Sequence, residues 1–542
     1  MIWSITFPSN PKLREWLTRH TLSFVTLILS IISLYYYMYY LNNGLGLSYN
    51  DARSHLDIGR RVVEGLKPGL AQLGSVWLPL NHILMIPLVW NDWAWHTGFA
   101  GAIWNMISFV GTGLVIYAFL RKLHVGLLGR ITGVVIFAAN LNVLYLQSTA
   151  MTEIILLFTM TMGCYYLLIW HSEDTMLDLI KSAFWIMLAT LVRYDGWFLL
   201  GLAGLLVIRQ VWARHVRVEG WKTGWSKVEG VTILFASLAT LGILGWFVWN
   251  QLIFGDALYF ALGPFSAHTQ QLIMEAAGAL PTKHNLLLSI KVYLYSLLYN
   301  TYTYPAILAA IGAIVLWRDQ ALLRFTKWGT VALLAPLFFN ILALYLGFSV
   351  IYVQGISGDT WFNIRYGVML APTIAIFIGY LVDRAKEFRM LLIGSLLFVL
   401  FFAFANGDAV AIDDARVGSS QKNVSEVSGY LNQHAKNEKG FILISAASHD
   451  AIIFSSLLPM KRFIHEGTGL YWENALALPD RWAKWIVMRT YDDGDLTWRG
   501  VSKTKGFQFY DKVAAYPFAD VYQLQASMSG NLNLEANLGK QK

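Results

Sequence analysis

Between Tyr49 and Arg61 the chain reads Tyr-Asn-Asp-Ala-Arg-Ser-His-Leu-Asp-Ile-Gly-Arg-Arg. Asp51, Arg53, His55, Asp57, Arg60 and Arg61 crowd this stretch, in a sequence that is otherwise 56% hydrophobic and only 14% charged. Read as a helix, the stretch carries Asp51 and His55 one turn apart on the same side, with Arg53 close by. A carboxylate held rigidly at the end of a membrane helix can take a proton from an attacking hydroxyl. His55 can tune that carboxylate or touch a substrate directly. The competing reading is a solvated, charged helix lying on the membrane surface. Asp57, Arg60 and Arg61 are expected to face lipid headgroups in either case.

Three more places put charge in or beside apolar runs, where charge is costly and tends to mark function. They are Glu153, the Arg193-Tyr194-Asp195 triplet, and Asn363-Ile-Arg365-Tyr366. A guanidinium grips phosphate through a planar fork of donors and never loses its charge. Two acids and two arginines in one cavity therefore divide the work of group transfer from a phosphate to a hydroxyl: Asp51 and Glu153 for the proton, Arg193 and Arg365 for the phosphate, with Tyr366 beside them. Either acid could also hold a hard divalent cation through oxygen. Tyr194, Asp195, Arg53, His55, Trp77 and His82 are candidates to line the substrate. The plainer alternative is local anchoring, with Arg365 and Tyr366 snorkelling at a helix end and Arg193 paired with Asp195. His449-Asp450 and His465-Glu466 show no metal spacing and read as surface polar residues.

The elements that must position these groups are mostly membrane helices. Soluble chains are usually about 25% charged, well above this one. Its 22 tryptophans and 27 tyrosines suit membrane interfaces, where amphipathic rings collect. The net charge of +8 sits in short loops between apolar runs, which argues for topology and against a nucleic-acid surface. Cys164 is the single cysteine, so there is neither an intrachain disulfide nor a cysteine-based metal site.

Lys12, Arg14, Arg19 and His20 precede a first span over 21–41, which places the N-terminus in the cytoplasm by the positive-inside rule. No cleavable signal peptide is evident. A long first outer loop, 42–96, then holds Asp51, an amphipathic helix over 51–65, a Lys-Pro-Gly turn at 67–69 and a short interfacial helix up to Trp90. Further spans are expected over 97–120, 130–147, 151–171, 231–254, 286–317, 329–350, 366–382 and 390–406. The run 180–208 is interrupted by Arg193–Gly196. Two short helices meeting there keep the basic loop that follows inside, and broken helices are tolerated where they line a polar cavity. The count is about eleven spans, and all four charged places fall on the outer side.

From Gly407 the apolar segments shorten to Phe441–Ile444, Trp485–Met488 and Phe507–Tyr510, with helical patterns among them. Short strands alternating with helices predict a small α/β domain. The expected organisation is a transmembrane body over 1–406 and an extracytoplasmic α/β domain over 407–542. Asn423-Val-Ser425 fits a glycosylation acceptor in a eukaryotic secretory setting.

Five segments together carry a resemblance: Tyr49-Asn-Asp-Ala-Arg-Ser-His55, Gly74-Ser-Val-Trp-Leu-Pro-Leu80, Thr152-Glu153, Val192-Arg-Tyr-Asp-Gly-Trp197 and Asn363-Ile-Arg-Tyr-Gly367. With the topology, they resemble membrane glycosyltransferases of the GT-C fold, specifically the bacterial and archaeal relatives of dolichyl-phosphate-mannose protein mannosyltransferases and lipid A aminoarabinose transferases. The resemblance covers roughly 20–410. It implies a catalytic acid in the first outer loop, which is Asp51, a second acid at Glu153, and basic residues around a lipid phosphate at Arg193 and Arg365. It implies a polyprenyl-phosphate-linked sugar as donor, a glycan, lipid or protein acceptor, and one inverting displacement at the membrane's outer face. The chain departs from the protein mannosyltransferases at Asn50 and Ala52, which flank Asp51 where those enzymes carry an adjacent Asp-Glu pair. A polytopic transporter or lipid flippase could use the same intramembrane charges. Matched broken helices in two repeated halves, common in transporters, are not found in this sequence.

Overall fold

The computed structural model describes residues 11–216, 220–264, 266–418 and 424–535. Asn423 of the glycosylation motif, and the side chains of Lys12, Arg14 and Arg19, lie outside the described residues. The first part of the chain forms α1 (Pro11–Asn42), α2 (Asn50–Val63), α3 (Leu80–Val89), α4 (Asp92–His96), α5 (Phe99–Lys122), α6 (Leu127–Ala138), α7 (Leu141–Leu146), α8 (Glu153–Glu173), α9 (Met176–Thr190) and α10 (Asp195–Val211). The amphipathic α2 and short apolar α3 stand where the first loop was expected to hold them.

The molecule is a polytopic helical membrane protein. Among the described residues, seven helices are long and apolar enough to cross a bilayer, or up to nine if two bent pairs each make one span. The expected count of about eleven includes runs that the structure breaks into shorter or bent helices, for local reasons. The 130–147 run breaks because Asn140 caps α7, its side chain accepting the Val143 N–H at 3.1 Å. That leaves α6 with 12 residues, about 18 Å of helix against an apolar slab of about 30 Å. The 286–317 run turns through 107° between Leu286–Thr301 and Thr303–Arg318, about Tyr302 at φ 63°. The 180–208 run breaks as expected, ending α9 and starting α10 around Arg193. Exposed Leu27, Ile31 and Leu34 on α1, and Phe398 and Phe401 on Arg389–Asn406, give the bundle the apolar rim that a lipid environment requires.

The C-terminal region forms a five-stranded mixed sheet of β1 (Phe441–Ile444), β2 (Phe463–Ile464), β3 (Ala483–Met488), β4 (Tyr510–Ala515) and β5 (Asp520–Leu524), in the order β2-β1-β3-β5-β4. β1 runs parallel to β2 and β3, while β5 pairs antiparallel with β3 and β4. The fully buried β1 reads as an unbroken apolar run, as a strand covered on both faces should. The apolar segment expected as a strand over Phe507–Tyr510 is mostly a 3-10 turn leading into β4.

The helix Ala446–Ser455 from this domain packs on α2, and this contact corrects the headgroup-facing expectation. Arg60 is buried, pairs with Asp92 at 2.5 Å and with Glu64, and lies over the Trp95 ring at 4.6 Å. Arg61 bridges to Asp450 of the C-terminal domain at 3.3 Å. Asp57 is fully buried, and its carboxyl meets that of Asp450. His449 and His465 are buried too, so neither pair marks open surface. These charges face protein because a second domain covers α2, which the spacing of α2 alone cannot reveal.

Burial first, and then the Asp450 charge, push the Asp57 carboxyl well above its ordinary range, while burial pushes Asp450 up to about 6. Two carboxyls in one dry site share a proton. Groups whose folded pKa is raised stabilise fully below the ordinary Asp value near 3.9 and lose that contribution as pH climbs through the folded value. The pair therefore adds a downward slope to the melting temperature in detergent as pH rises from 5 to 8, opposite in sign to the slope from buried His55, whose folded pKa is lowered. Asp57→Asn supplies an amide donor in place of the proton, and it should flatten that slope and recover about 1–3 kcal/mol at pH 8. An unchanged slope would disprove the shared proton.

Candidate active site

Three acids occupy the first turns of three helices. Asp51 lies in the first turn of α2, Glu153 opens α8 and Asp195 opens α10. The partial positive charge of a helix N-terminus favours a carboxylate there. The guanidiniums come from breaks. Arg193 sits in the gap between α9 and α10, and Arg365 in the 3-10 segment Ile364–Leu370 that follows Asn363, at φ 53°. That segment is pinned to the helix Leu286–Thr301. Ser296 and Asn300 both donate to the Ile364 carbonyl, at 2.8 and 2.7 Å. A side chain at Gly367 would collide with the Ser296 backbone.

Arg365 joins the site. Its Nη2 donates to Asp51 Oδ2 at 2.7 Å, its Nε donates to Glu153 Oε1 at 3.1 Å, and its Nη1 lies 3.6 Å from Asp414 Oδ2. Arg193 donates to Glu153 and Asp195, each at 3.3 Å. Aromatic faces support both cations: Arg193 lies 4.4 Å from the Tyr366 ring and Arg365 4.6 Å from the Tyr49 ring. The Tyr49 hydroxyl donates to Asp414 at 3.0 Å. Asp51 is the accessible acid. Its side chain is 38% exposed, against 3% for Asp195 and 0% for Glu153 and Asp414.

The structure thus brings Asp51, Glu153, Arg193, Asp195, Arg365 and Tyr366 together. His55, Trp77 and His82 form an aromatic group beside them, with His55 Nδ1 2.8 Å from His82 Nε2 and the His55 and Trp77 rings 4.4 Å apart. Burial, and then the two nearby arginines, push His55 down to about 3, and burial, then His55, lowers His82, which favours a neutral pair in which one ring donates to the other. Two candidates point elsewhere. Arg53 donates to the Leu47 carbonyl at 2.9 Å and to Asn50, and Tyr194 stacks on Phe260 with its hydroxyl toward Val76.

Asp414 and Tyr49 are the residues that sequence reasoning missed. Asp414 lies after the last apolar run, among residues with a soluble composition. The signal was periodicity: Val410, Ala411, Asp414 and Ala415 fall on one buried helical face, an acid inside an apolar stripe. Among the described residues no three His, Cys, Asp or Glu side chains are grouped to hold a metal ion. Arg365 bridges Asp51 and Glu153, the two acids that the sequence offered as oxygen ligands for a divalent cation.

A cavity of ≈ 550 Å³ opens beside the cluster. Asn50, Ser54 and Trp77, neighbours of Asp51 and His55, form part of its wall, and Asp450, Glu466 and Arg489 of the C-terminal domain form another part.

Among solved structures the chain is similar to ArnT from Cupriavidus metallidurans bound to undecaprenyl phosphate, at 11% identity and a TM-score of 0.54, over 93% of this chain and 98% of that one. The fold is GT-C. A second similarity is to the archaeal oligosaccharyltransferase AglB from Archaeoglobus fulgidus in complex with an inhibitory peptide and a dolichol-phosphate, at 11% identity and a TM-score of 0.50, over 87% of this chain and 70% of that one. No family model matches the sequence, and no curated protein matches it. At 11% identity the GT-C likeness is one of architecture, and the chemistry has to be argued from the residues above.

Arg365→Ala would leave Asp51, Glu153 and Asp414 facing one another without their common cation. A broken buried pair costs about 3–5 kcal/mol, so the melting temperature in detergent should drop sharply. Adding Glu153→Gln should restore part of the loss, a coupling that a double-mutant cycle measures. Strict additivity would show that Arg365 and Glu153 act independently.

Proposed function

We propose that the chain is a membrane glycosyltransferase that moves a sugar from a polyprenyl phosphate to an acceptor hydroxyl on the extracytoplasmic side. The observation that carries this reading is the accessible Asp51 carboxylate, held by the buried Arg365 guanidinium at 2.7 Å. A general base needs access to its proton donor and a fixed orientation, and Asp51 has both.

In this mechanism the acceptor hydroxyl gives its proton to Asp51 as its oxygen attacks the anomeric carbon. The bond from that carbon to the donor phosphate oxygen breaks on the opposite face, with inversion, and the electron pair leaves on the polyprenyl phosphate. Charge gathers on the phosphate during this step, so preorganised cations are worth more there than a proton donor. Arg193, with its side chain 18% exposed and stacked on Tyr366, is the guanidinium best able to reach the phosphate. Arg365 keeps Nη1 without a hydrogen bond and adds charge from behind. Glu153, fully buried between the two arginines, aligns them. The lipid tail of the donor lies along the bundle's apolar surface, and the C-terminal α/β domain covers the site from the extracytoplasmic side. The ArnT and AglB structures, which hold polyprenyl phosphates, support a donor of this class.

Asp51→Asn preserves size and removes the base. It should fold and melt close to wild type while transfer falls by about 10²–10⁴, measured as sugar passed from membrane lipid to acceptor in a mass-spectrometric comparison of glycolipids and glycoproteins with and without the protein. Undiminished transfer by this variant would remove Asp51 from the mechanism.

A further inference from the structure

The ≈ 550 Å³ cavity is larger than a base and a phosphate site need, and most of its wall lies away from the charged cluster. Its floor is one face of α2, where Asn50, Ser54, Ile58 and Arg61 recur at helical spacing. Asp51 and His55 follow on the adjoining stripe of the same helix. The opposite wall is the start of the Ala446–Ser455 helix, with Asp450 and Glu466, and Trp77 closes the end next to His55. The cavity comes next to the charged cluster at Asn50, the chain neighbour of Asp51, and at Trp77, whose ring meets His55.

The wall chemistry discriminates among occupants. An acyl chain needs a continuous apolar lining, but Arg61, Asp450, Glu466 and Arg489 interrupt this one. An extended peptide commonly docks by adding to a strand edge. The sheet's edges are β2 and β4, and neither contributes a lining residue. A carbohydrate presents hydroxyls around its ring and C–H faces above and below. Polar side chains such as Asn50, Ser54 and Gln270 suit the hydroxyls, and aromatic rings such as Trp77 and Tyr259 suit the C–H faces.

We propose that this cavity is the acceptor site and that the acceptor is a carbohydrate, whose reacting hydroxyl reaches Asp51 past Asn50 and Trp77. The assignment rests on the reading of Asp51 as the base for sugar transfer. The product is a glycan extended by one sugar, and the reaction that supplies the acceptor must deliver a carbohydrate with a free hydroxyl to the extracytoplasmic face.

The test is saturation-transfer NMR on the full-length protein in lipid nanodiscs. The probes are methyl glycosides of hexoses, pentoses and N-acetylhexosamines, with tri-alanine as the peptide comparator. Glycoside signals are expected from wild type. They should be lost in Ser448→Trp and in Ala447→Trp, which fill the cavity from the C-terminal wall, with melting temperatures checked for each variant. Absence of signal for every glycoside, signals unchanged by both filling variants, or a stronger tri-alanine signal would overturn the proposal. Glycoside binding in a chain that transfers no sugar would keep the carbohydrate site and remove the reaction. Active transfer with a silent cavity would overturn the acceptor site alone.

Discussion

One guanidinium holds this protein's chemistry in place. Arg365 faces carboxyls from α2, from the start of α8 and from the segment after the last apolar helix, at Asp51, Glu153 and Asp414. A planar fork with five N–H groups can meet three partners at fixed angles, whereas a lysine ammonium cannot impose such geometry. The surroundings fix the fork in turn, through the pinned 3-10 segment below and the Tyr49 ring on its face. Four acids share two arginines, so each guanidinium is committed to more than one carboxylate.

α2 divides the labour. Its N-terminal turn carries Asp51 into the charged cluster, one face lines the cavity, and Asp57, Arg60 and Arg61 lock it to its surroundings. Asp450 of the C-terminal domain takes part in that lock, so the covering domain and the position of Asp51 are mechanically linked. The charges that made this stretch conspicuous thus serve two ends, and of its acids only Asp51 joins the Arg365 cluster.

The architecture and much of the cluster were legible in the sequence because isolated charges inside apolar runs are rare enough to be informative. Asp51, Glu153, Arg193, Asp195 and Arg365 stood out for that reason alone, and the broken 180–208 run followed from loop charge. Other features were hidden by their surroundings. Asp414 sits among ordinary polar residues, and only the periodicity of one short helix sets it apart. Arg53 looks equivalent to its neighbours until the chain reversal at Leu47 captures its guanidinium. The sharp bend at Tyr302 interrupts a run that is apolar on both sides, so hydropathy could not show it. The burial of Asp57 depends on a domain nearly four hundred positions away.

The long separation between Asp51 and its cation has a consequence for biogenesis. Arg365 lies 314 residues downstream of Asp51 and 212 downstream of Glu153. During synthesis both acids emerge and settle well before their counter-ion exists, so for most of translation they must stay hydrated or protonated. Only when the later helices insert does the charged cluster close, so it stays incomplete until Arg365 and then Asp414 have been made.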